Sequence, residues 1–202
     1  MEVMVASSIL LLMLGVLYLL MVGGLRYFQQ ARAYQNVQHE SALGLRKILG
    51  ELQDSRASTV VYRQNPTSHV VFLSASLPHP NAGPVVHAPD GHVQWQKWVC
   101  YRANGSNLER DELPLGAPTT TPPTPAPAYA AFNFSGPDFK VVARNLKTPE
   151  DLTLTPLNRS LRVWGGPTAD CMRVQLIFSE NTSSTQVTEL RAQGQVHMYN
   201  RF

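Results

Sequence analysis

Few residues in this 202-residue chain have the type and spacing that chemistry requires. His79, His87 and His92 fall close together in a stretch rich in Pro, Gly, Asn and Asp, but their spacing matches no metal-ligand motif. Cys100 and Cys171 are far apart and in no CxxC pattern, which removes zinc and thioredoxin-type sites. They read either as two buried free thiols or as a disulfide, the latter only in an oxidising compartment. Ser, His and Asp occur without a G-x-S-x-G elbow, and there is no Walker A or G-x-G-x-x-G loop. Arg110, Asp111 and Glu112 read as an exposed charge cluster at a strand end, not as a catalytic carboxylate pair. The sequence therefore predicts no catalysis, cofactor or metal. Four Asn-x-Ser triplets, at Asn104, Asn133, Asn158 and Asn181, match a glycosylation sequon but arise easily by chance in polar loops. One acidic residue is set apart by its surroundings. Glu2 stands at the edge of a long apolar run, where burying a carboxylate in lipid costs about 3 kcal/mol. Such a group is either a polar flank among headgroups or is kept for a partner.

The run behind it spans Val3 to Leu25 without a charge, interrupted by Ser7, Ser8, Tyr18 and three glycines. About 20 such residues cross a hydrocarbon core of roughly 30 Å. Val3, Val5, Ile9, Leu12, Val16, Leu19 and Val22 are the expected membrane- or core-facing positions. A cleavable signal needs a basic start, a shorter apolar core and a small-residue cleavage site; no basic residue precedes Arg26, and no such site follows. The formal net charge is only +3, and the basic residues are scattered. The blocks of like charge that mark a nucleic-acid tail are missing.

These residues must be positioned by a long helix. No proline occurs before Pro66, and the pattern past Leu25 becomes amphipathic. Ala31, Tyr34, Leu45, Ile48, Leu49 and Leu52 fall near one face, which predicts a half-buried helix. It is expected to end near Ala57, about 84 Å from its start at 1.5 Å per residue. Residues 58–202 read as a β-rich head. Strands are expected at Thr59–Tyr62, Val70–Ser74, Val93–Arg102, Leu108–Leu113, Phe139–Leu146, Leu161–Trp164, Cys171–Ser179 and Gln186–Tyr199. Asn104–Gly105 marks a hairpin turn, and Arg191–Tyr199 is expected to pair with Cys171–Ser179 across the loop Asn181–Thr185. The proline-dense stretch Pro114–Pro127 is expected to be an exposed loop. The fold class is α+β: a helix with residues 1–25 transmembrane and 26–57 amphipathic, packed on an antiparallel sheet.

The string Met1-Glu2-Val3-Met4-Val5-Ala6-Ser7 resembles the start of type IV pilins and type II secretion pseudopilins. In their prepilin methylation motif, a glycine and Phe-Thr-Leu precede one apolar residue and the glutamate. The resemblance extends into the body, at Trp95, Lys97, Trp98, Val99 and Tyr101, then Leu108, Arg110 and Glu112, and at Val142–Leu146. It implies that the reading frame starts upstream of Met1 with the glycine, Phe-Thr-Leu and a basic leader. Arg26 and Arg32 alone would put the head in the cytoplasm by the positive-inside rule; a basic leader reverses this. The implied protein is a minor pilin or pseudopilin, single-pass in the cytoplasmic membrane with an extracytoplasmic head. Its implied partners are other pilin subunits, met through the N-terminal helix with Glu2 as the assembly residue, and a prepilin peptidase acting on the precursor. The alternative is a signal-anchored surface protein with a β-rich adhesion module. The two differ in whether Glu2 is needed.

Overall fold

The structure, a computed structural model, describes residues 2–64, 67–78, 84–147, 160–165, 171–181 and 187–198, and the side chains of all of these but Glu2 and Asn181. His79, Asn158, most of the loop expected at Asn181–Thr185 and the C-terminal Tyr199–Phe202 lie outside them.

A single 52-residue helix, α1 (Glu2–Gln53), opens the chain. It is about 78 Å long at 1.5 Å per residue. It stops short of Ala57 because Ser55 takes the Leu52 carbonyl with both its backbone N–H (3.1 Å) and its hydroxyl (3.0 Å). That carbonyl would otherwise accept the next helical N–H, so the serine competes directly with the helix. A short 3-10 turn, Ala57–Thr59, follows where a strand start was expected.

Two antiparallel sheets make the head. The first has the order β1-β2-β3-β4-β5, with β1 Val61–Arg63, β2 His69–Ser74, β3 Trp95–Asn104, β4 Asn107–Thr119 and β5 Lys140–Ala143. The second is β6-β7-β8, with β6 Leu161–Gly165, β7 Cys171–Asn181 and β8 Val187–His197. The expected pairing of the last two strands is present and runs from Cys171↔His197 to Asn181↔Val187. The β3–β4 hairpin is also as expected, but its loop is Gly105–Ser106, one residue later than Asn104–Gly105. Gly105 has φ +54°, a conformation that glycine adopts without steric cost.

The loop expected at Pro114–Pro127 needs correcting. β4 continues through Pro114 to Thr119, with Pro114 opposite Lys97 and Thr119 opposite Trp95. β5 flanks β4 only at Leu108–Arg110. Beyond that point one side of β4 is an edge, where proline's missing N–H is tolerated.

The buried face of α1 is Ala33, Val37, Ser41, Gly44, Ile48 and Leu52, at spacings of three and four. Tyr34, expected on that face, is 46% exposed; it lies one residue, about 100°, off the stripe. Leu45 and Leu49 pack at its margin. The stripe meets Phe72, Val99, Tyr101 and Leu108 from the first sheet and Val174, Leu176, Phe178 and Val196 from the second, forming one core. Gly44 lies at the seam between the sheets. A Cβ there would sit 3.1 Å from Ala143 and 3.3 Å from both Leu108 and Leu176. The sheets themselves join at the Leu146↔Phe178 bridge, with Lys147 N–H donating to Ile177 O and Ser179 N–H to Asn145 O.

The first sheet is covered on its other face too. A bulge between Trp95 and Lys97 puts Trp95 on the same side as Trp98 and Cys100. These pack with Val71, Leu73 and Phe132 in a second core. Arg102 clamps the covering segment: it donates to Tyr129 Oη (2.6 Å) and lies 3.7 Å over the Phe134 ring.

Candidate functional site: an exposed apolar helix and its buried anchor

Beyond the head, the first half of α1 stands alone. Val3, Val5, Ile9, Leu12, Val16 and Leu19 are exposed by half or more, and Val22 is half-buried. Met4, Leu10, Leu11, Met13, Leu14, Leu17 and Leu20 on the other faces are exposed as well, so the segment has no sheltered side. A Cβ added at Gly15, Gly23 or Gly24 would meet nothing within 4 Å. The polar interruptions are internally satisfied: the Ser7 and Ser8 hydroxyls both donate to Met4 O, at 3.0 and 2.8 Å. Such back-bonding removes the penalty of carrying a hydroxyl into lipid. This helix is long and apolar enough to cross a membrane. Exposed Tyr27 and Phe28 sit beside Arg26 at the polar end of the apolar run, the composition of a membrane–water interface. Glu2 begins the helix.

At the far end, the helix is held by charge. The Glu51 carboxylate accepts Arg110 Nε at 3.1 and 3.0 Å, the Tyr101 hydroxyl at 3.0 Å and Lys47 Nζ at 3.0 Å. Arg110 also donates to Glu112 (2.7 Å). Glu112 accepts Lys97 Nζ at 2.9 Å, and Lys97 donates once more to Leu77 O at 2.8 Å. Arg110, Glu112 and Lys97 are nearly inaccessible to solvent. Burial opposes the Arg110 charge, but Glu51 and Tyr101 outweigh it and leave the guanidinium more firmly protonated than usual. Burial, then the Glu51 charge, pushes the Tyr101 hydroxyl well above its ordinary range. Within the cluster, Arg110 thus stays charged and Tyr101 neutral.

The exposed strand-end cluster expected at Arg110, Asp111 and Glu112 is therefore buried. Strand alternation divides it. Arg110 and Glu112 face α1, while Asp111 faces the second core, where burial raises its pKa against two backbone N–H bonds, from Glu112 and Asn133. The signal was present in the spacing: Lys97, Val99, Tyr101 on one strand and Leu108, Arg110, Glu112 on the next share one face at period two.

The cysteines are not brought together as a disulfide. Both are free and buried, Cys100 in β3 and Cys171 in β7 of the other sheet. Burial, and then the charge of Asp111, holds the Cys100 thiol far above its usual range, so it stays protonated. His87 and His92 flank a turn in which Ala88 N–H donates to His92 O. Among the described residues, no three His, Cys, Asp or Glu side chains converge.

No family model matches the chain, and no curated protein or solved structure is detectably similar to it.

Proposed function

We propose that this chain is a minor pilin or pseudopilin, a non-enzymatic assembly or tip subunit of a type IV pilus-like filament in secretion, twitching or DNA uptake. The observation that carries the proposal is the division of α1: one unbroken helix is exposed on every face over Val3–Leu25 and docked on the sheets over Ala33–Leu52. A helix apolar all round needs lipid or other apolar helices. A subunit that moves from one to the other needs both, along with a head rigidly fixed to the rod. On this reading the anchor lies in the cytoplasmic membrane and the head outside it. Processing by a prepilin peptidase frees an amino terminus, and Glu2 pairs with the terminal amine of a neighbouring subunit. That pairing offsets two charges that an apolar bundle penalises.

Glu2→Leu tests this in cells that express partner pilins. The variant should still insert in the membrane and fold, yet be lost from the co-purified assembly. Undiminished co-assembly of Glu2→Leu would leave a signal-anchored surface protein as the better description.

A further inference from the structure

The outward face of the second sheet collects residues that are scattered in sequence. Strand alternation and register place Arg162 and Trp164 of β6, Arg173 and Gln175 of β7, and Arg191, Gln193, Gln195 and His197 of β8 on the side away from α1. The side chains of β8 on this face are exposed, and those of Arg162, Trp164, Arg173 and Gln175 are half-buried. Among the described residues Glu189 is the acidic member, and it is held by Lys147 (2.8 Å) and Arg191 (3.3 Å), which lower its pKa. Among the described residues this face is therefore positive, with Arg162 and Arg173 beside one indole and Arg191 further along, paired with Glu189. Arg162 lies 4.8 Å over the Trp164 ring, and Arg173 donates to Gln195 Oε1 at 3.4 Å. Cross-strand pairing sets Trp164 beside Arg173 and Arg173 beside Gln195.

We propose that this face binds single-stranded nucleic acid. Guanidiniums at strand spacing meet successive phosphates, and the indole and the guanidinium planes offer stacking surfaces for unpaired bases. The glutamine amides carry the donor–acceptor pair that base edges read. Where Trp164 lies, the sheet is three strands wide, too broad to enter a major groove, which disfavours duplex. Lipid headgroups are disfavoured by position. Asn36, near the apolar half of α1, contacts Glu180 at one end of β7, whereas Gln195 and Val196 lie beside Gly50 and Gln53. Trp164, Arg173, Gln195 and His197 thus occupy the end of the sheet away from the apolar segment. The proposal concerns the head alone and does not depend on filament membership.

The test uses the full chain in neutral phosphatidylcholine nanodiscs and a fluorescein-labelled oligothymidylate of about 16 nucleotides, followed by anisotropy. The salt dependence is measured between about 50 and about 200 mM. Arg162→Gln with Arg173→Gln should weaken binding about tenfold or more and reduce the salt slope by about 1.4, two single-strand phosphate contacts. Trp164→Ala should weaken binding about fivefold or more with the slope unchanged. Arg63→Gln, an exposed arginine of the other sheet, should change neither. Fluorescence of Trp95 and Trp98 checks that each variant is folded. The proposal is overturned by an absence of binding at low salt or by folded face variants that bind as well as the parent chain. Equal affinity for duplex, or for dextran sulfate, also overturns it, the latter in favour of an acidic polysaccharide.

Discussion

Residues 3–25 and residues 33–52 belong to one helix yet meet their surroundings in opposite ways. The first stretch is apolar on every side and, but for half-buried Val22, exposed; the second has a single stripe of six buried residues and a charged flank. Leaving a large aliphatic side chain in water forfeits roughly 1.5–3 kcal/mol relative to burial, so the first stretch is stable only in an apolar medium. The second stretch gains its stability from the sheets, and it ends in ion pairs that fix its rotation. A helix can thus carry two environments without a break, provided that the change comes in the pattern of side chains and not in the backbone.

The contrast can be broken most sharply at the anchor. Glu51→Ala strips Arg110 and Tyr101 of a shared acceptor in a buried site, and should cost the head about 3 kcal/mol, the lower end of the range for breaking a buried pair, since Glu112 remains. All three tryptophans lie in the head, so urea denaturation followed by their fluorescence reads this loss directly. An unchanged midpoint would mean that the ion pairs do not hold the helix. Gly44→Val probes the seam. The added methyls would press on Ala143, Leu108 and Leu176, with an expected cost of about 1–3 kcal/mol by overpacking. The smallest effect sharpens the comparison from the other side. Leu12→Ala removes a large side chain from the exposed half and should leave the head's urea midpoint within about 0.5 kcal/mol of the parent. A larger shift would mean that the apolar segment folds back on the head.

Much of this architecture was legible in the residues. Helix length followed from the absence of proline, and the β3–β4 and β7–β8 pairings followed from alternation and turn residues. What was missed has physical causes. Tyr34 looked like a stripe residue because periodicity alone does not say which of two adjacent positions meets a sheet, and the contact phase was set by Gly44 fitting between two sheets. Pro114–Thr119 has a loop's composition because proline is excluded from a central strand, but whether a strand segment is central depends on where its neighbour stops. Arg110 and Glu112 looked solvated because charges usually are, and their burial is permitted by partners distant in sequence: Lys97 for Glu112, and Glu51, 59 residues from Arg110. The basic face on β6, β7 and β8 had no linear signature, since its members lie on three strands.

The bridge at Leu146↔Phe178 is the one ladder contact between the two sheets, among the described residues, and α1 lies across both beside it. A pull on the N-terminal end of the rod therefore does not unzip one sheet from the other. The load enters both sheets in parallel through the same line of side chains, and the Glu51–Arg110 pair bears it in shear near the far end. A body wired in this way resists traction along the helix better than peeling from the side.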